Sequence, residues 1–300
     1  MREMNRGLAV FSLTLAWFLA GFVGCGAETV TANAVTEVEV RPQIAYRAEG
    51  EVSGPDCQLD LYIPKSSSRP FPLVIWVHGG GLTGGDKAEP PSVAVCRMLA
   101  QNGIGVASVN YRRNPKVQFP TYIEDVAAAV AWVEANAKKY GGNSERIYLS
   151  GHSAGAYLVT MLTMNPKYLE KAGFNMSHLV GVIPISGQVT THFTIKKERG
   201  IDANTVISDA AAPTYFVRKQ VPDMLLILGD RDWAARLEEN AYFAACLKAA
   251  GAQNVTLRVI ADRDHGTIFG KLSEPNDPGG NLILQFIRER EARAGVSSGT

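Results

Sequence analysis

Short runs of β-branched and leucine residues alternate with longer helical patterns along the chain. Continuous apolar runs of this kind are typical of strands that are buried on both faces of a parallel sheet. They predict strands at residues 73–77, 104–109, 147–149, 179–185, 224–228 and 255–260. Two earlier segments, residues 35–47 and 58–63, alternate apolar and polar side chains, which predicts antiparallel or edge strands with one solvated face.

Helical spacing of apolar side chains fills the stretches between these strands. It predicts helices at residues 92–101, 122–140, 154–164, 234–250 and 282–292. Strands that alternate with helices indicate an α/β fold, with a mostly parallel sheet and helices on both faces. Residues 187–222 have no strong period, so we expect a partly helical cap or substrate loop there, with a separate second domain as the alternative.

The composition is that of an ordinary globular protein. Of the 300 residues, 46% are hydrophobic and 20% are charged, which argues against collagen-like, coiled-coil and disordered classes. We expect one domain, because layered α/β chains of this length commonly fold as a unit. The formal net charge is only +1, so no basic excess favours a phosphate backbone, and we expect no nucleic-acid partner.

The first 27 residues differ from the rest of the chain. Arg2 and Arg6 precede an uncharged apolar run over residues 7–27, which predicts a secretory signal, with a membrane anchor as the alternative. The stretch that ends at Cys25 is similar to a bacterial lipoprotein box, in which that cysteine is lipidated and tethers the protein to a membrane. We therefore expect an exported protein that is secreted, periplasmic or lipid-anchored to a bacterial membrane, with residues 28–300 as its folded domain.

The four cysteines are too few and too widely spaced for a disulfide-rich or zinc-ribbon fold. One bridge among Cys57, Cys96 and Cys246 and three buried thiols are both compatible with the sequence. The sequence contains no C-x-x-C pair, so we expect neither redox chemistry nor a cysteine-rich metal site.

The strongest chemical signal is the sequence Gly-His-Ser-Ala-Gly at residues 151–155. It lies directly after a predicted strand and directly before a predicted helix, which is the context in which a G-x-S-x-G turn exposes a reactive serine. The flanking glycines would let neighbouring backbone pass close to the turn. Ser153 is therefore the expected nucleophile, and a Gly-rich structural turn is the alternative.

A serine hydroxyl needs an adjacent base, which is normally a histidine held by a carboxylate. Only His178, His192 and His265 follow Ser153 in the sequence. His265 is the expected base, because it lies in the loop after the last predicted strand.

The acid is expected just after the preceding strand, where the chain carries two aspartates. Asp232 is preferred, because a few residues of turn are needed before a side chain can reach His265. Asp230 is the second candidate and is better placed to hold the turn. Asp262 and Asp264 are too close to His265 in sequence to be natural partners, and we expect both to be solvated.

A tetrahedral oxyanion needs N–H donors arranged in advance. The sequence His-Gly-Gly-Gly at residues 78–81 follows a predicted strand and matches the HGGG element of esterases and lipases. The N–H groups of Gly80, Gly81 and Ala154 are the expected donors. His78 is expected to lock this loop through hydrogen bonds. The neighbouring glycines match neither phosphate-binding pattern, G-x-x-x-x-G-K-[ST] or G-x-G-x-x-G, so we expect no nucleotide cofactor.

Taken together, these motifs resemble the hormone-sensitive-lipase-like and feruloyl-esterase-like carboxylesterases of the α/β-hydrolase superfamily. The resemblance covers about residues 56–290 and rests on residues 78–81, 85–87, 110–112, 122–126, 132, 140–142, 146–147, 151–155 and 229–232. It implies an α/β-hydrolase fold and hydrolysis of small-molecule carboxylic esters without cofactor or metal, with Ser153, Asp232 and His265 as the triad. Two departures are Asn-Ser at residues 143–144, where the families commonly carry Asp-Pro, and residues 187–222, which match nothing familiar and leave the substrate open.

Two other functions remain open at this level. Arylformamidases, other amidases and peptidases of the prolyl oligopeptidase type use the same triad. A catalytically silent binding protein with this fold is a third alternative, although such proteins usually lose the nucleophile or the base.

Overall fold

The computed structural model describes residues 37–47, 54–65 and 70–297. The predicted signal at residues 1–27 and the predicted lipidation at Cys25 lie outside the described residues. Among the described helices, none is long and apolar enough to cross a bilayer.

The strands form one eight-stranded sheet in the order β1-β2-β4-β3-β5-β6-β7-β8. The first two pairings, β1 with β2 and β2 with β4, are antiparallel, and all the others are parallel. The bounds are β1 Val38–Ala45, β2 Gln58–Pro64, β3 Phe71–Val77, β4 Gly105–Val109, β5 Gly142–His152, β6 Leu179–Ile185, β7 Asp223–Arg231 and β8 Val255–Asp264. The prediction of a mostly parallel sheet that begins with antiparallel edge strands is confirmed.

Helices connect the parallel strands. Their bounds are α1 Pro90–Gln101, α2 Thr121–Asn136, α3 Ala154–Met164, α4 Lys167–Lys171, α5 Phe193–Glu198, α6 Arg236–Ala249, α7 Thr267–Gly270 and α8 Pro278–Ser297. Every predicted helix is present. The predicted helix at residues 122–140 ends at Asn136 and continues as a 3-10 turn to Tyr140, where Gly141 adopts a left-handed conformation and closes it.

The sheet separates two apolar layers because successive side chains of a strand point to opposite faces. In β3, Ile75 and Val77 pack with helices α2 and α3, whereas Val74 and Trp76 pack with α1, α7 and α8. Helix α6 covers the far end of the sheet against β7. Both faces are therefore covered, as the continuous apolar strands predict.

Strand β3 is where the direction of the crossovers reverses, since its neighbours are β4 on one side and β5 on the other. Ligands of open α/β sheets bind beyond the carboxyl ends of the strands at such a point. The loops after β3 and β5 begin at this edge, and the loops after β6, β7 and β8 continue along it.

Residues 187–222 run between β6 and β7 and contain helix α5 and a 3-10 turn at Pro213–Phe216. The prediction of a partly helical segment is correct. The segment contacts the loop after β3, because the Thr194 hydroxyl donates a hydrogen bond to the Gly81 carbonyl and the Phe193 ring packs beside Gly81.

The three cysteines of the described residues are free thiols. Cys57 and Cys96 are buried, and Cys246 is half-buried. The sequence left a disulfide bridge and three buried thiols open. The bridge is wrong for this structure, and two of the three thiols are buried as the other alternative predicts.

Candidate active site

Ser153 lies in a strained turn between β5 and α3. Its backbone has φ 53° and ψ −115°, a conformation that side-chain-bearing residues rarely adopt. The turn packs against the end of β3. A Cβ added at Gly151 would lie 2.5 Å from the Val77 carbonyl oxygen, and one added at Gly155 would overlap the same carbonyl. Only glycine at both positions lets the turn approach β3, as the motif predicts.

The structure brings the three predicted triad residues together. His265 Nε2 is 2.8 Å from Ser153 Oγ, and His265 Nδ1 is 2.7 Å from Asp232 Oδ1. A carboxylate can only accept at Nδ1, so Nδ1 carries the proton and Nε2 presents a lone pair to the serine hydroxyl. His265 directly follows β8, and Asp232 directly follows β7.

The Asp232 carboxylate is held by three donors. Besides His265, it accepts from Ser186 Oγ at 2.5 Å and from the Trp233 N–H at 2.7 Å. Burial acts to raise the pKa of Asp232, and the hydrogen bonds from His265, Ser186 and Trp233 outweigh it, so the pKa lies below its ordinary value. The side chain is therefore an anion at neutral pH and keeps His265 in the reactive tautomer.

The other aspartates near His265 have separate roles. Asp230 Oδ1 accepts from the Arg263 N–H at 3.1 Å, so the second candidate acid joins β7 to β8 instead of reaching the base. Asp264 is exposed and accepts from the Thr267 N–H at 2.7 Å at the start of α7. Asp262 is exposed to solvent.

The loop after β3 is rigid around His78. Its Nδ1–H donates to the Gly79 carbonyl at 2.8 Å, and its ring stacks on Tyr111 with centroids 4.5 Å apart. Burial lowers the pKa of His78 to about 4, so it stays neutral. The role predicted for His78, locking the loop, agrees with these contacts.

Three backbone N–H groups at this edge have no partner among the described residues, namely those of Gly80, Gly81 and Ala154. Gly80 and Gly81 reach their positive φ values of 96° and 63° without strain because they lack a Cβ. Ala154 is the first residue of α3, where N–H groups are free and the helix dipole favours negative charge. These are the donors that the sequence predicts for the oxyanion.

Two aromatic rings flank the His265 imidazole. Trp233 stacks on it with ring centroids 3.7 Å apart and an interplanar angle of 18°. His152, whose centroid is 4.8 Å away, is buried and donates from Nε2 to the His265 carbonyl at 2.9 Å. Burial is the main cause that lowers the pKa of His152 to about 3, and it is therefore neutral at physiological pH.

Comparison with known proteins identifies the fold of this chain. Residues 59–192 match the family model described as BD-FAE. A solved structure of a truncated carbohydrate esterase from gut microbiota superposes with a TM-score of 0.71 at 21% identity, over 87% of this chain and 99% of that chain. The chain has the α/β-hydrolase fold.

Curated proteins similar to this chain are named as esterases. A probable isoprenylcysteine alpha-carbonyl methylesterase of Arabidopsis thaliana is 36% identical, over 83% of this chain and 55% of that protein. Esterase LipQ of Mycobacterium tuberculosis is 28% identical, over 66% of this chain and 50% of that protein. The chain thus spans about half the length of these relatives.

The BD-FAE match includes Ser153 and the loop at residues 78–81, and it ends before β7. Asp232 and His265 therefore lie beyond the matched residues. We assign Asp232 and His265 to the candidate site from the distances that join them to each other and to Ser153.

Sequence reasoning missed Ser186, which is buried and donates a hydrogen bond to the predicted acid Asp232. A signal was present, because Ser186 is the first residue after the apolar strand β6, just as Ser153, Asp232 and His265 each directly follow their strands. Among the described residues, no group of three or more His, Cys, Asp or Glu side chains is arranged to hold a metal ion.

Proposed function

We propose that this protein is a serine carboxylesterase that hydrolyses small-molecule carboxylic esters through an acyl-enzyme on Ser153. The observation that carries the proposal is the chain of contacts Ser153 to His265 to Asp232, with the free N–H groups of the predicted oxyanion hole at the same edge. The names of the curated relatives support the ester as substrate.

In the first half of the reaction, Ser153 Oγ attacks the ester carbonyl carbon while its proton passes to His265 Nε2. The carbonyl oxygen becomes an oxyanion, and the N–H groups of Gly80, Gly81 and Ala154 stabilise it. When the tetrahedral intermediate collapses, the carbon–oxygen bond to the alcohol breaks, and His265 returns the proton to the leaving oxygen. The acyl group is then bonded to Ser153.

In the second half, His265 Nε2 removes a proton from water, and the resulting hydroxide attacks the acyl carbon. Collapse of this intermediate releases the carboxylic acid and returns the proton to Ser153 Oγ. Asp232 stays ionised throughout and stabilises the imidazolium that forms twice in each cycle.

The test is hydrolysis of nitrophenyl esters of increasing acyl length, measured with the wild-type protein and with Ser153→Ala. Loss of the nucleophile is expected to lower kcat by about 10⁴- to 10⁶-fold, because triad residues act as a unit. His265→Gln is expected to fall by a similar factor. The matched controls are Ser208→Ala, at an exposed serine, and His178→Gln, at a histidine that contacts Glu134; both are expected to retain wild-type rates.

Amides of the same acyl groups serve as competing substrates. Faster serine-dependent cleavage of amides than of esters would replace the carboxylesterase with an amidase. No turnover of either class by folded protein, together with no covalent labelling of Ser153 by an organophosphate, would favour the silent binding protein.

We further propose that the protein is exported, on the basis of the two arginines and the apolar run within residues 1–27. Expression of the full chain in a bacterium is expected to place the protein outside the cytoplasm. Cys25→Ala distinguishes the two forms of export by mass spectrometry, because only a lipid-anchored protein loses the mass of its acyl chains on this substitution. Retention of the wild-type chain in the cytoplasm would contradict the proposal.

A further inference from the structure

Trp233 lies directly over the imidazole ring of His265. Its side chain is half exposed, at 50%, while His265 beneath it is only 8% exposed. The two rings are nearly parallel, with centroids 3.7 Å apart. The indole therefore covers one face of the imidazole and separates it from solvent.

A backbone hydrogen bond and a neighbouring guanidinium hold Trp233 in this position. The Trp233 N–H donates to Asp232 Oδ1, which is the same oxygen that accepts from His265 Nδ1. On the side of α6, the guanidinium carbon of Arg236 lies 5.8 Å from the centre of the Trp233 ring. The backbone of Trp233 is thus hydrogen-bonded to Asp232, and its indole is stacked on His265.

The indole face carries negative charge density, which attracts cations. The imidazole of His265 is neutral before reaction and becomes a cation when it takes the serine proton. An indole stacked on the ring therefore stabilises the protonated form more than the neutral form. We propose that Trp233 is a positioning residue that favours protonation of His265 in the transition state; this inference rests on the proposed esterase function.

The charged and titratable groups that face His265 are few. Asp232 approaches from the β7 loop, and His152 and Ser153 approach from the end of β5. The charge of Arg236, at the start of α6, interacts with Asp232. Because the pKa of His152 is about 3, that ring does not titrate between pH 5 and 8.

The kinetic test compares Trp233→Leu, which removes the π face, with Trp233→Phe, which keeps a smaller one. In Trp233→Leu the acid limb of the pH profile of kcat/KM is expected to move down by about 0.5 pH unit, and the plateau to fall by about 3- to 5-fold. Trp233→Phe is expected to show less than half of each effect. Tyr242→Leu, at an exposed tyrosine of α6, is the matched control and is expected to match wild type.

A purely structural role for Trp233 would lower the plateau in both variants and leave the acid limb in place. That result would overturn the inference. An acid limb that moves to higher pH would overturn it as well.

A second measurement does not depend on turnover. Protonated imidazole quenches indole fluorescence. The difference in emission between wild type and Trp233→Phe, which reports on Trp233, is therefore expected to rise with pH. The midpoint of this rise is expected to disappear in His265→Gln. If wild type hydrolyses no ester and this midpoint is present, the proposed function fails, and with it the role of Trp233 in the transition state, whereas the contact between the two rings is retained. If esters are hydrolysed and no midpoint is found, the inference fails and the proposed function is retained.

Discussion

At the scale of single residues, the proposed acid Asp232 is held by Ser186 as well as by its own turn. Ser186 has a positive φ of 54°, which residues with a Cβ rarely adopt, and its hydroxyl donates to Asp232 Oδ2. Backbone strain at a residue with a side chain persists only where surrounding contacts enforce it. The Ser186 N–H donates to the Ile227 carbonyl of β7 at 2.9 Å, which is the contact that holds it there.

Two substitutions separate the Ser186 hydroxyl from its strain. Both Ser186→Ala and Ser186→Gly remove a hydrogen bond to a charged group, so kcat/KM is expected to fall by about 10-fold in each. Glycine tolerates the positive φ, so Ser186→Gly is expected to unfold at higher urea concentration than Ser186→Ala. Equal activity of Ser186→Ala and wild type would show that the acid does not need this donor.

At the scale of elements, the strand and helix that flank Ser153 are held by the contact between two glycines and the end of β3. The fit is tighter at Gly155 than at Gly151, because a Cβ at Gly155 would overlap the Val77 carbonyl instead of merely crowding it. The start of α3 and the end of β3 are therefore in direct backbone contact. This contact fixes how far Ser153 stands from the loop at residues 78–81.

Gly155→Ala is expected to lower the free energy of unfolding by about 2–3 kcal/mol, because backbone must shift to admit the methyl group. Gly270→Ala in α7 is the matched control, since a Cβ there meets nothing within 4 Å; its effect is expected to stay within about 1 kcal/mol. Urea unfolding measures both. Equal stability of the two variants would contradict the close approach.

Sequence patterns predict buried elements well and polar ends poorly. Helix α3 and strand β6 have their predicted bounds, because they are apolar throughout. Strand β8 runs past residue 260 to Asp264 through polar residues, since it is an edge strand and its exposed residues are hydrogen-bonded to β7. Helix α8 begins at Pro278, before its apolar pattern, because the Asp277 carboxylate accepts from the Gly280 N–H.

In the candidate site, sequence patterns likewise predict the residues at strand ends and do not predict the side-chain contacts between distant segments. The order of strand ends in a parallel sheet predicts the positions of Ser153, Asp232 and His265. The stacking of Trp233 and the hydrogen bond of Ser186 depend on side-chain positions between distant segments, which no local pattern records. Asp230 and Asp232 lie two residues apart, and no sequence pattern shows which of them faces His265. The pairing of β7 with β8 decides this, because Asp230 accepts from the Arg263 N–H of β8.

At the scale of the whole molecule, three buried histidines make stability depend on pH. Burial lowers the pKa of His78 to about 4 and that of His152 to about 3, and burial is also the main cause that places the pKa of His192 well below its ordinary value. Below pH 6.5 the unfolded chain binds protons at these positions and the folded chain does not. Their contribution to stability is therefore complete above about pH 6.5 and is lost as pH falls toward the folded-state values.

His192→Asn isolates one of these contributions. His192 caps α5 by accepting from the Thr194 N–H, and asparagine keeps such a cap while removing the titration. Between pH 7.5 and 5.5, the free energy of unfolding of wild type is expected to fall by about 1.4 kcal/mol more than that of His192→Asn. Urea titrations at the two pH values measure the difference. An identical fall in both proteins would exclude a neutral buried His192.

Because the reacting groups sit at the ends of strands, the connection between β6 and β7 can be exchanged as a unit. Residues 187–222 leave the sheet just after Ser186 and return just before Asp223, so their length and composition do not set the distances within the triad. Several contacts limit this freedom: Thr194 donates to the Gly81 carbonyl, the Tyr157 hydroxyl donates to the Ala211 carbonyl, and the Asn240 side chain donates to the Gly187 carbonyl. A connection grafted from another protein of this fold would keep its position only if it offers partners at these three places.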